Sequence, residues 1–174
     1  MYKLNILFIM LLISIYGFSQ NLSISQLLEV KSKNLGEAEE YLTLKGWEFM
    51  SAEEPTIAYL GTVTFSYNKD NMSDRAQSFL LYYYSDYSTT TRVSIQVSKK
   101  EKYNEYLNTI KSFGCKMISS KVKNGNLIKV YQGKTTTFII TATTSENFFG
   151  EATASWIFIL IDNLDYDVFE LEGE

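Results

Sequence analysis

The 174-residue chain contains no histidine. That absence excludes Ser-His-Asp and Cys-His nucleophilic sites, histidine-based zinc sites and imidazole acid–base chemistry. Cysteine occurs once, at Cys115, so no intramolecular disulfide can form. Lying after Gly114 at a helix-to-strand junction, Cys115 reads as a small buried hydrophobe. Proline also occurs once, at Pro55, and interrupts little. A phosphate cradle is missing too. Gly133-Lys134-Thr135 has Ile128 where a P-loop would need its first glycine, and a strand follows it. No cofactor is expected. Basic residues form no stripe with interleaved aromatics, and the net charge is −4, so nucleic acid is not an expected partner.

Carboxylates are what remains for an enzyme, and a glycosidase needs two of them. The available groups are Glu53/Glu54, Asp70/Asp74 and Asp162/Asp165/Asp167, all placed in loops or near the chain end. Solvated loop charges are the ordinary reading of such residues. The Asp162–Asp167 run lacks the glycine and the terminal bidentate glutamate of an EF-hand loop, so no metal site is expected.

Long apolar runs are confined to the start. Lys3 precedes Leu4–Tyr16, which Asn5 and Ser14 alone interrupt, and Gly17-Phe18-Ser19 follows. A basic start, a short apolar stretch and small residues at −3 and −1 describe a secretory signal peptide. Cleavage is expected after Ser19, leaving residues 20–174 as one α+β domain in the periplasm or outside the cell. The mature chain would carry 15 basic and 20 acidic side chains. No stable membrane span is expected after cleavage, because Trp156–Ile161 is too short to cross and reads as a buried strand. Asn21-Leu-Ser and Asn71-Met-Ser match the glycosylation pattern but carry little weight in a bacterial export context.

Tyrosine (13) and phenylalanine (11) are abundant, and β-branched residues cluster, which favours sheet. Ser23-x-x-Gln26 and Asn34-x-x-Glu37 are capping boxes opening two helices, the second ending at Gly46. Ser98-x-x-Glu101 opens a third, Lys99–Phe113, with Tyr103, Tyr106, Leu107 and Ile110 on one stripe. Strands are expected at Trp47–Ala52, Thr56–Tyr67, Gln77–Ser85, Thr90–Val97, Lys116–Val122, Leu127–Tyr131, Lys134–Thr144 and Ala152–Ile161. Asn124-Gly125 marks a tight hairpin, and Asp162–Glu174 reads as an acidic tail.

The chain repeats itself. Glu40-Tyr-Leu matches Glu105-Tyr-Leu at an offset of 65, and Trp47-Glu-Phe-Met-Ser matches Cys115-Lys-Met-Ile-Ser at 68. The expected architecture is an antiparallel sheet of seven or eight strands with helices on one face. It would be built from two tandem helix-plus-strands repeats, 23–97 and 98–165. Tyr41/Leu42 and Tyr106/Leu107 would then occupy matching core positions.

One feature exceeds what a core requires. Tyr82-Tyr83-Tyr84 occupies a single strand, with Tyr87 just beyond and Tyr59 and Tyr67 on the preceding alternating stretch. Successive strand residues face opposite ways, so some of these rings lie on the less buried face. Tyrosine beside Ser/Thr offers large contact area, little entropy loss and adaptable hydroxyls. Tyr82, Tyr84, Tyr87, Tyr59 and Tyr67 are therefore the candidate binding residues, and the expected activity is binding rather than catalysis. The partner would be a protein or glycan of the cell envelope, bound in an inhibitor- or immunity-like manner. A carboxylate-dependent enzyme acting on a glycan, or a structural adaptor in envelope assembly, stand as alternatives.

Tyr103-Asn-Glu-Tyr-Leu, Ile110-Lys-Ser-Phe-Gly and Val130-Tyr-Gln-Gly-Lys, together with Gly46-Trp47-Glu-Phe, give the chain a resemblance to exported bacterial proteins of uncharacterised function. The twofold plan also resembles the β-lactamase inhibitor protein architecture, which implies a curved sheet whose concave face grips another protein. The paired cysteines of that family are missing here, and no functional residue carries over.

Export makes a direct prediction: the protein purified from its native host begins at Gln20 on N-terminal sequencing. An intact Met1 on the major species would overturn it.

Overall fold

Both of the first capping boxes form, and each sets a helix. In the computed structural model, which describes residues 22–70, 76–146 and 152–172, the Ser23 hydroxyl accepts the Gln26 N–H at 3.2 Å. The Gln26 side chain accepts the Ser23 N–H at 2.8 Å. This starts α1, Ile24–Ser32. Asn34 and Glu37 make the same reciprocal pair at 3.0 and 3.1 Å and start α2, Leu35–Leu44. Gly46, at φ +80°, then turns the chain out of the helix in the left-handed region that favours glycine.

Four strands follow: β1 (Trp47–Glu53), β2 (Gly61–Lys69), β3 (Ala76–Tyr84) and β4 (Arg92–Val97). After them come α3 (Lys100–Ser112), β5 (Lys116–Lys123), β6 (Asn126–Gln132), β7 (Thr136–Glu146), β8 (Ala152–Asp162) and α4 (Asn163–Glu172). Asn124 and Gly125 both have positive φ, 52° and 77°, as a two-residue hairpin between β5 and β6 demands. The strands form one eight-stranded sheet in the order β1-β2-β3-β4-β8-β7-β6-β5, antiparallel at every step. The fold is α+β. A helix followed by a four-stranded meander occurs in each half, and β4 and β8 join the two meanders at the centre.

One sheet face carries the main core. Val63, Phe65, Leu80, Tyr82, Val93, Ile95, Phe138, Ile140, Phe158 and Leu160 are all buried beneath α1, α2 and α3. Leu27 and Val30 of α1, Ala38 and Leu42 of α2, and Tyr106 and Ile110 of α3 close it from above. Two buried tyrosines, one from each half, hold the ends of α1. Tyr106 donates its hydroxyl to the carbonyl of Leu22, and Tyr82 donates to that of Lys33 at 2.6 Å. Burial pushes both phenols above their usual range, which keeps them protonated as donors. Cys115 is buried just before β5, and burial likewise raises its thiol pKa.

Four expectations change. The strict alternation from Thr56 does not make a strand until Gly61. Residues 56–59 instead close on themselves, with the Thr56 N–H bonding the Tyr59 carbonyl at 2.8 Å and the Thr56 hydroxyl accepting the Tyr59 N–H at 3.0 Å. Ser98 does not cap α3. Lys99 is its N-cap and provides no side-chain bond. The acidic stretch after Asp162 is not a tail through its first ten residues but α4, whose Tyr166 packs with Val130, Ile139 and Ile161 on the opposite sheet face. Three helices therefore share one face, and the fourth covers part of the other. Finally, the helix end and the edge strand of each half line up at an offset of 68 rather than 65. Gly46 and Gly114 have φ of 80° and 78°, and the edge strands bulge between Phe49 and Ser51 and between Met117 and Ser119. Ala38 and Leu42 thus match Tyr106 and Ile110, all fully buried, whereas Tyr41 and Leu107 are only partly buried.

This register sets an order of stabilities. Ile110→Ala should cost about 2–5 kcal/mol in urea unfolding as a large-to-small core change. Leu107→Ala, at a partly buried site, should cost clearly less. Equal losses would contradict the assigned helix face.

Candidate ligand-binding cleft

Residue parity on β3 divides the tyrosines. Tyr82 and Tyr84 point to the helix-covered face and Tyr83 to the other. Tyr82 is 1% exposed and bonded to α1, so it is a core residue rather than a binding residue. Tyr84 packs against the core beside Gly61, where any added Cβ would meet the Tyr84 ring at 2.7 Å and Pro55 at 2.8 Å. Tyr67 lies on the same covered face, its ring 5.5 Å from that of Trp47. Three of the five candidate tyrosines thus serve packing.

Tyr59 and Tyr87 remain, at 78% and 63% exposure, and they come together around one cleft of about 530 Å³. Its floor is a single cross-strand row on the open face, in which Tyr83 sits opposite Thr62 on one side and Arg92 on the other. One wall is the 56–60 loop with Thr56, Ile57 and Tyr59. The second is the β3–β4 connection with Ser85, Tyr87, Ser88 and Thr90, and Asp165 from the first turn of α4 completes the lining. The missing strand at residues 56–60 is thus what makes the wall.

Short hydroxyl turns shape the walls. Ser85 accepts the Tyr87 N–H at 3.0 Å, and Ser88 accepts the Thr90 N–H at 3.3 Å. Thr90 in turn donates to the Asp165 carboxylate at 3.2 Å, tying this connection to α4. Thr91 donates to the Lys31 carbonyl at 3.0 Å, tying it to α1. The aromatic rim therefore rests on anchored backbone. Burial raises the Tyr83 phenol, and the facing Arg92 guanidinium opposes that rise by favouring the phenolate.

The arrangement offers flat aromatic faces, several hydroxyls, and one cationic and one anionic group in a concave space. Such a lining fixes a ligand of moderate size and can orient it by hydrogen bonds. Of the candidate carboxylates among the described residues, Asp165 alone lines the cleft. Asp162 instead pairs with Lys31 at 2.6 Å, and Asp74 and Asn71 lie outside the described residues. Among the described residues, no group of three or more acids and cysteines is placed to hold a metal, and no helix is long and apolar enough to cross a membrane. Sequence reasoning missed Tyr83 and Arg92 as site residues and weighed Asp165 only as a candidate carboxylate. Only the opposed parity of Tyr83 and Tyr82 pointed towards the first of them.

Compared with known proteins, the chain matches no family model, no curated protein and no solved structure.

Core and cleft tyrosines should separate by stability. Tyr82→Ala should cost about 3–5 kcal/mol, whereas Tyr59→Ala and Tyr87→Ala should each change stability by no more than ~0.5 kcal/mol. Chemical denaturation of the three variants tests the division, and a tolerated Tyr82→Ala would refute it.

Proposed function

We propose that this chain is an exported, non-enzymatic binding module of the cell envelope that takes a glycan in the cleft between the 56–60 loop and α4. The carrying observation is the pair of exposed rings, Tyr59 and Tyr87, standing over a floor of Thr62, Tyr83 and Arg92. Sugar rings present apolar C–H faces and rims of hydroxyl groups. Aromatic faces suit the first. Ser/Thr hydroxyls, a guanidinium and a carboxylate suit the second, since they donate and accept in neighbouring directions. The cleft volume falls within the range of small-ligand sites. A protein partner would instead call for roughly 800 Å² of buried surface on each side. Export rests on the basic and apolar pattern of residues 1–19, and an internal duplication would account for the shared offset of 68.

The resemblance to inhibitor-like sheets keeps a protein partner as the alternative, and the exposed Ile57 at the tip of the 56–60 loop favours it. A glycosidase would need a second carboxylate beside Asp165, and among the described residues the lining holds Asp165 alone.

Isothermal titration with a panel of envelope saccharides tests the proposal. Wild type should bind at least one saccharide, and Tyr59→Ala/Tyr87→Ala should weaken it about tenfold or more, the loss of two stacked rings. Unchanged affinity in the folded double variant would remove the cleft from the site. Saccharide cleavage abolished by Asp165→Asn would replace binding with catalysis.

A further inference from the structure

The two ends of the sheet carry opposite charge at equivalent positions. β1 and β5 are the edge strands, and both are exposed along most of their length. Each begins just after a glycine with positive φ, and each bulges at the same point, between Phe49 and Ser51 in β1 and between Met117 and Ser119 in β5. Glu48 of β1 therefore occupies the place of Lys116 of β5, and Glu53 that of Lys121. Glu48 and Glu53 pair with Ser66 and Thr62, and Lys116 and Lys121 pair with Gln132 and Ile128. All four charged residues lie on the sheet face that holds the cleft, and all are exposed.

An exposed edge is a template for another strand, because its outward N–H and C=O groups lack ladder partners. Charge decides which strand can use it. Two β1 edges would set carboxylate against carboxylate, and two β5 edges would set ammonium against ammonium. Like charges directly opposite one another disfavour pairing. Only β1 against β5 brings opposite signs together. Direction permits this as well. Every neighbouring pair in the eight-stranded sheet is antiparallel, so β1 and β5 run in opposite senses. A second copy set beside the first with the same face upward therefore places its β5 antiparallel to β1, as at every junction within the sheet.

We infer that the protein self-associates head to tail, β1 of one copy pairing with β5 of the next, with Glu48 opposite Lys121 and Glu53 opposite Lys116. The occupant of each edge is a second copy of this chain. Such a contact is heterologous: each copy keeps one acidic and one basic edge unused, so the assembly grows as a chain unless it closes into a ring. Phe49 and Met117, 58% and 55% exposed on the helix-bearing face, flank the same seam with apolar surface. The inference is independent of what the cleft binds.

Sedimentation velocity of the purified protein tests it. The weight-average mass should rise with protein concentration at low ionic strength and fall as salt is raised through about 0.5 M, where screening is strong. Glu48→Lys/Glu53→Lys and Lys116→Glu/Lys121→Glu should each sediment as monomers with unchanged circular dichroism, because both edges of each variant then carry one sign. Mixed in equal amounts, the two variants should assemble again. The neutralised variant Glu48→Gln/Glu53→Gln should associate more weakly than wild type and provides the same reading without reversed charge. A wild type that stays monomeric at all concentrations would overturn the inference. So would charge-reversed variants that associate as wild type does, or a mixture of folded variants that remains monomeric.

Discussion

Everything in the molecule depends on the pairing of β4 with β8. Each half alone is a four-stranded meander with a helix before it. The ladder from Val93–Leu160 to Val97–Trp156 makes them one sheet. That ladder places Val93, Ile95, Phe158 and Leu160 in the middle of the helix-bearing face, each fully buried. α1 can then sit over the junction, held at one end by a tyrosine of the first half and at the other by a tyrosine of the second. Without the seam, neither half would present a core wide enough to seat that helix.

The same seam creates the cleft. β4 supplies Arg92, while β8 leads directly into α4 and so delivers Asp165. The first half contributes the floor, both walls and the aromatic rim, and the second half completes the lining with Asp165. The link between Thr90 and Asp165 crosses from one half to the other. The covered face of the sheet holds the halves together, and the open face collects polar and aromatic groups from both. The division follows from strand parity, since every second residue must leave the core.

Local signals made most of the fold legible. The first two capping boxes, a helix-ending glycine and the Asn-Gly turn are short-range chemistry, and each sits where its pattern indicated. Gly46 and Gly114 both turn the chain out of a helix, as their match at an offset of 68 indicated. The helix match at an offset of 65 misled, because Glu-Tyr-Leu recurs on a different helix face. The site was less legible for a physical reason. Parity shows that Tyr82 and Tyr83 oppose each other, but the covered face is chosen by α1, through a bond between residues 33 and 82 that no local window contains. α4 was hidden in the same way. Its acidic sequence says solvent, and it is held by Tyr166 packing against strands far back in the chain. The 56–60 loop imitates a strand in its alternation, yet Thr56 closes a turn that the alternation does not reveal.

The separation along the chain of the strands that meet at the centre has a kinetic consequence. Most ladders join neighbours in sequence, whereas residues 93–97 wait for residues 156–160. Hairpins form in microseconds, but closing so long a loop is entropically costly and gains little until both meanders are largely built. Folding speed should therefore be governed by this one non-local encounter, with the halves organised early and the barrier crossed as they meet. Until that encounter, the inner edge of β4 stays unpaired and open to the wrong strand. The central strand of the finished protein is thus, during folding, its most vulnerable edge.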